Sequence, residues 1–168
     1  MIIRSVRKND DLFQISNIYE QSCKFAYKGI IPDSFLESIP KGKWVNTVTK
    51  EGFYSLVMID EDAFVGTTSY CSSRFKQFDG YGEIVSIYFL PEYIGKGNGK
   101  ALFKSAVEEL SSLGFTKVFL WVLEDNLRAR HFYEKIGMKL TDEYIDDNIG
   151  GKDLREVAYS ADIDSLDF

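Results

Sequence analysis

The sequence predicts an α/β domain built on a mixed, mostly antiparallel central sheet, with one parallel strand pair and helices on both faces. Three observations predict it. A run of three strand-like segments lies between Phe53 and Leu90. An amphipathic helix follows, and then an almost wholly apolar strand, so the chain crosses over and lays a parallel neighbour in the sheet. Two more strand-like segments close the chain, joined through a glycine-containing turn. A near-continuous apolar strand is one that is covered on both faces.

Taken in order, residues 2–6 are short and β-like. Asn9 or Asp10 is expected to cap a helix carrying Leu12, Ile15, Ile18 and Tyr19. Pro32-Asp33-Ser34 starts a second helix through Phe35, Leu36 and Ile39, and residues 44–50 read as a further helical piece. The stretch from Cys23 to Glu51 is rich in Phe, Tyr and Trp and has the least regular periodicity. It is therefore where substrate-contacting surface is expected. Gly52 opens a meander: strand 53–59, the polar turn Asp60-Glu61-Asp62, strand 63–72 with Gly66 inside it, loop 74–80, and strand 81–90. In the helix 98–113, Leu102, Phe103, Ala106, Val107, Leu110 and Leu113 share one face, and Gly114 stops it. Strand 116–123 follows. Asp125 or Asn126 then caps a helix to Ile136, with Gly137 as its stop. Residues 138–145 and 153–161 read as strands, with Asp146 to Gly151 as their loop.

Composition narrows the function. The 168 residues fit one domain, 1–168, and are 45% hydrophobic with thirteen Phe and ten Tyr, which excludes disorder. The net charge of −6 disfavours direct nucleic-acid binding, which rests on phosphate neutralisation. It suits a cationic small molecule or a basic peptide, or serves solubility alone. Cys23 and Cys71 make neither a disulfide framework nor a metal spacing, and no carboxylate–histidine cluster suggests a metal. With no signal peptide and no apolar run of membrane length, a soluble cytoplasmic protein without membrane contact is expected.

The informative stretch is Glu83 to Lys100: a strand ending at Ile87-Tyr88-Phe89, a stop at Pro91, then Gly95-Lys96-Gly97-Asn98-Gly99-Lys100 opening a helix. Such a junction offers unpaired N–H groups and a positive dipole end to an anion. A Walker A loop is excluded, because Ala101 follows Gly99-Lys100 and the first glycine is missing. A dinucleotide fingerprint is excluded because Lys100 stands where its third glycine would be.

The junction resembles the pyrophosphate loop of the GNAT acyltransferases, Gln/Arg-x-x-Gly-x-Gly/Ala, here Ile94-Gly95-Lys96-Gly97-Asn98-Gly99. The block Asn126-x-x-Ala129-x-x-Phe132-Tyr133-Glu134-Lys135-x-Gly137 is similar to the family's later motif. The resemblance implies a fold whose central parallel strands splay apart around the pantetheine arm of coenzyme A. It implies a cosubstrate, acetyl-CoA, held by backbone N–H groups of residues 95–100 and of the strand end Ile87-Tyr88-Phe89. Ile94 departs from the usual Gln or Arg, which leaves Lys96 or Lys100 to supply side-chain charge.

The resemblance also places Asn126 near the pantetheine and Tyr133 near the sulfur, where its phenol would protonate the departing thiolate. Core packing on the stripe Ala129, Phe132, Tyr133, Ile136 is the alternative. Glu83 matches the glutamate of the family's lysine acetyltransferases and is the candidate base. It is expected on a strand face with Val85, Ile87 and Phe89, an apolar setting that raises a carboxylate pKa. It lies about 13 Å along the strand from Ile87, so it would act through water. Otherwise it is structural. His131, the only histidine, is read as surface or packing, and Arg128 and Arg130 as solvated charges within reach of phosphates. The implied activity is transfer of acetyl to a primary amine of a small molecule or peptide. A non-catalytic acyl-CoA-binding module and transfer of a longer acyl group stay open, as does a homodimer through the terminal strands.

Overall fold

The structure, a computed structural model describing residues 1–168, contains seven strands and five α-helices. In chain order these are β1 (Ile2–Ser5), α1 (Leu12–Ala26), α2 (Asp33–Glu37), α3 (Val45–Val48), β2 (Tyr54–Asp60), β3 (Ala63–Ser72), β4 (Gly82–Phe89), α4 (Asn98–Ser112), β5 (Lys117–Leu123), α5 (Leu127–Lys135), β6 (Lys139–Ile149) and β7 (Lys152–Asp162). The sheet order is β1-β2-β3-β4-β5-β7-β6. Every neighbouring pair is antiparallel except β4–β5.

Side-chain alternation divides the sheet into two faces. Val118, Leu120 and Val122 of β5 join Ile84 and Phe89 of β4 against Leu102, Phe103, Ala106 and Leu110 of α4, with Tyr133 of α5 in the same core. Leu102, Phe103 and Leu110 are fully buried, each worth about 1.5–3 kcal/mol of apolar transfer. The other face carries α1, where Ile15 and Tyr19 pack with Val57 of β2 and Val48 of α3. Further along that face, Leu36 of α2 meets Leu123 of β5 and Leu154 of β7.

Two local expectations are corrected. Asp11 caps α1, accepting from the N–H groups of Phe13 and Gln14, while Asp10 forms a bidentate pair with Arg4 at 2.7 and 2.8 Å. The guanidinium holds Asp10 below the usual carboxylate range, so it is committed to β1 and not to the helix. The terminal hairpin is longer than its polar composition suggested. Asp146, Asp147, Asn148 and Ile149 belong to β6, and Gly150-Gly151 alone make the turn, both with positive φ. Cross-strand pairs explain it: Arg155 binds Asp146 at 2.8 Å, and Asn148 donates to Asp153 at 2.8 Å. The hairpin reaches across to the α1–α2 connection, where Lys152 Nζ donates to the carbonyl of Ile30 at 2.8 Å.

Two irregularities of β4 position the site. First, its register against β3 slips: Ser69 faces Ser86, but Tyr70 faces Ile84, leaving Val85 as an extra residue. The slip inverts the alternation, so Ile84, Ile87 and Phe89 pack toward α4 while Ser86 and Tyr88 meet Tyr19 of α1. Secondly, β4 pairs with β5 only at Gly82–Val118 and Glu83–Phe119. Beyond that vertex the two parallel strands diverge, as the resemblance implied.

Gly66 of β3 faces Phe89 directly, and a Cβ there would lie 2.5 Å from the Phe89 ring. Gly66→Ala must displace that ring. It is expected to lower stability by about 1–3 kcal/mol, seen as a lower urea midpoint at constant m-value.

Candidate functional site

The junction between β4 and α4 is built to leave donors free. Pro91 lacks an N–H and begins a single 3₁₀ turn, Pro91–Tyr93, after which Ile94 is extended. Gly95 and Gly97 take φ of 79° and 84°, a left-handed geometry that strains residues with a Cβ. Gly97 stands at the N-cap of α4 and offers no side chain to cap it. The N–H groups of Gly95, Lys96, Gly97, Asn98 and Gly99 find no acceptor in the chain. The exposed turn is fixed from below by buried Asn98, whose side-chain amide donates to the carbonyl of Tyr93 at 2.9 Å. Five free donors at the positive end of a fifteen-residue helix make an anion cradle.

The gap between β4 and β5 is a cleft of about 1110 Å³ that runs to this cradle. Its walls bring together Glu83, Ile87, Tyr88 and Phe89 of β4, Leu120 to Leu123 of β5, and Asn126, Ala129 and Tyr133 at α5. Ile94, Gly95, Gly97, Gly99 and Lys100 line its cradle end. Lys96 and Asn98 fall outside the lining: Lys96 lies over the Tyr93 ring at 5.6 Å, and the Asn98 side chain is the anchor just described.

Asn126 is the N-cap of α5, accepting from the N–H of Ala129 at 3.2 Å. That cap orients the helix so that Tyr133, two turns on, enters the cleft from the α4 side. Tyr133 packs between Phe103, Phe132 and Tyr159, and its hydroxyl makes no hydrogen bond within the chain. Burial pushes its pKa well above the usual phenol value, with a smaller push from Tyr27. It is therefore a protonated donor throughout the physiological range. Arg130 is committed elsewhere, to the Tyr159 hydroxyl and the Glu124 carbonyl, both at 3.0 Å. Arg128 stands over the Phe25 ring, and His131 is exposed.

The surroundings expected for Glu83 are corrected. The Val85 bulge turns it to the α1 face, away from Ile87 and Phe89. There it is 1% exposed, and it accepts from Arg74 at both oxygens: from Nη2 at 2.6 Å, from Nε at 3.1 Å and from the backbone N–H at 3.2 Å. The setting is a charged clamp at the vertex, not an apolar pocket. No group of three or more His, Cys, Asp or Glu converges as a metal site.

Several lining residues were not singled out from the sequence. Tyr27, at the end of α1, shares a 3.0 Å hydrogen bond with Tyr88 across the mouth of the gap. Trp121 of β5 lines the wall beside Phe75, its indole nitrogen buried without an acceptor. Glu156 of β7, paired in register with Leu123, is half-buried and lines the same wall. Burial raises its pKa, and Asp147 raises it further. A carboxylate between apolar Leu154 and Ala158 on one strand face was the available signal. Both cysteines are buried, and burial pushes each thiol up to about 11.

Known proteins fit this architecture. The family model described as "Acetyltransferase (GNAT) family" matches residues 14–138. The uncharacterized N-acetyltransferase YuaI of Bacillus subtilis is 34% identical over 125 residues, 71% of this chain and 70% of its own. The spermidine N(1)-acetyltransferase of Thermoplasma acidophilum is 27% identical over 138 residues, 79% of this chain and 85% of its own. Among solved structures, the PaiA N-acetyltransferase of Thermoplasma acidophilum in complex with coenzyme A superposes with a TM-score of 0.75 at 23% identity, covering 96% of this chain and 99% of that one. The family match spans most of the chain, and the splayed sheet agrees with it: this chain belongs to the GNAT family of N-acetyltransferases.

Proposed function

We propose that the chain transfers the acetyl group of acetyl-CoA to a primary amine of a small molecule or peptide, by direct attack of the amine in a ternary complex. The observation that carries this reading is one cleft joining a row of five free N–H groups, an unpaired strand edge and a protonated phenol. Acetyl-CoA brings a pyrophosphate, an arm with two amides and a thioester. The residues 95–99 suit the pyrophosphate without any Gln or Arg at position 94, because the donors are backbone. The open edge of β4 suits the arm, which pairs as an added strand. An N–H on that edge also stabilises the thioester oxygen as it becomes anionic.

In this reading Tyr133 gives its proton to sulfur as the C–S bond breaks. Its ring belongs to the core, while its hydroxyl makes no hydrogen bond in the chain and Tyr133 lines the cleft. Three hydrogen bonds from Arg74 engage both oxygens of Glu83. We place it as the group that fixes the vertex where β4 and β5 part.

The wild-type protein is expected to release thiol from acetyl-CoA in the presence of some primary amine. Tight coenzyme A binding with no release across a broad amine panel would favour a non-catalytic module. Tyr133→Phe is expected to lower kcat about 10²-fold or more while leaving the coenzyme A-induced rise in melting temperature near normal. Undiminished turnover sinks the acid role. Glu83→Gln, measured by urea denaturation, is expected to cost about 1–3 kcal/mol of stability, with kcat of the folded protein falling less than tenfold. A loss of 10²-fold or more would make Glu83 the base instead.

A further inference from the structure

The two faces of the sheet do different things at the gap. The cradle, α4, α5 and Tyr133 lie on one face. Tyr27, Tyr88, Trp121 and Glu156 line the opening on the other, beneath α1, α2 and the loop that carries Phe75. An arm entering from the cradle passes through the gap, so its thioester meets an acceptor arriving from the α1 face. That face holds one carboxylate that the fold does not use. Glu156 makes no ion pair and no side-chain hydrogen bond, in contrast to Glu83 at the vertex, which holds three donors from Arg74.

From this placement we infer that Glu156 receives the acceptor amine and takes the proton from its ammonium form. The inference rests on the acetyltransferase reading and adds to it the group that makes the nucleophile. A primary amine is cationic at neutral pH and has no lone pair to offer. A carboxylate that is half out of water and unpaired attracts the ammonium and is a better proton acceptor than a solvated one.

The charged and titratable groups around Glu156 agree. Asp147 from β6 and Tyr27 from α1 bear on it. Arg155, its neighbour on β7, is turned to Asp146 and to the Tyr144 ring. Arg74 and Arg128 line the same cleft, but Arg74 is held by Glu83 and Arg128 stands over Phe25. Lys152 is tied to the Ile30 carbonyl. No cation in the chain neutralises Glu156, and burial together with Asp147 holds its pKa above the ordinary carboxylate value.

The step balances as follows. Glu156 takes one proton from R–NH₃⁺ and later releases it to solvent. The freed lone pair forms the C–N bond, and the carbonyl π pair moves onto oxygen. That pair returns as the C–S bond breaks, its electrons leaving on sulfur. Sulfur takes the Tyr133 proton, and the phenolate recovers a proton from the nitrogen as the amide forms. Tyr27 lies close enough to influence both Tyr133 and Glu156, which places acid and base around one gap.

The test follows thiol release from acetyl-CoA between pH 6 and 9, with spermidine, 1,3-diaminopropane and glycinamide as acceptors. Wild type, Glu156→Gln and Glu156→Asp are compared, with melting curves with and without coenzyme A as the measure of folding and cosubstrate binding. For Glu156→Gln, kcat/KM for the amine is expected to fall about 10²-fold at pH 7, with the coenzyme A-induced melting shift unchanged. Its acid limb moves up toward the amine's own pKa, because only amine already neutral in solution can react. Glu156→Asp recovers part of the rate and keeps the wild-type limb. A Glu156→Gln profile that overlays wild type overturns the assignment of Glu156 alone. A wild type that binds coenzyme A but releases no thiol with any amine overturns the acetyltransferase reading as well.

Discussion

Two backbone pairs, Gly82 with Val118 and Glu83 with Phe119, hold the parallel strands together, and the rest of the molecule is arranged around their parting. A sheet that stops pairing in its middle exposes N–H and C=O groups that would each cost about 1–3 kcal/mol if they were sealed away from water. The gap stays tolerable because it is an open cleft. It stays a gap because each strand is held on its other edge: β4 by seven register pairs with β3, and β5 by seven with β7. The α4 core presses on both arms from one face, and α1 and α2 lie over the other. The vertex itself carries the Arg74–Glu83 clamp, a buried carboxylate whose partner fixes the loop after β3. Pinned edges with a free centre give a site that exists before any ligand arrives.

Much of this was legible in the residues. The face of α4, the glycine stops at 114 and 137, the crossover and the glycine turn follow from period, punctuation and handedness. What was not legible follows from contacts made far along the chain. Asp10 has the composition of a cap, but it is claimed by Arg4 of β1, and Asp11 takes its place. Asp146 to Asn148 have loop composition, but cross-strand partners make them strand. Alternation predicts that Glu83 shares a face with Ile87, and one extra residue at Val85 inverts that. A bulge is a property of two strands together, so a single strand's sequence does not announce it.

The candidate site divides along the same line. The cradle is local: its donors come from consecutive residues and its geometry from two left-handed glycines, so the sequence carries it whole. The opposite wall of the cleft is assembled from α1, β5, β7 and the loop after β3, whose contributions are far apart in sequence. Tyr27 and Glu156 are 129 positions apart, by subtraction, and meet only because β7 is inserted between β5 and β6 in the sheet. Chemistry shared by a family lives in the contiguous part. The wall proposed to receive the acceptor is the part that only the fold brings together.

The buried cysteines have a practical consequence. A thiol with a pKa near 11 is about one part in a thousand thiolate at pH 8, and thiolate is the reactive form. Cys23 sits within the aromatic floor beside Tyr88, and Cys71 behind the Glu83 clamp. The native protein is thus nearly silent toward disulfide reagents that report coenzyme A thiol as it forms. Fast labelling of these two side chains would instead signal that the sheet has begun to open, so the same reagent reads turnover in the folded enzyme and unfolding in a damaged one.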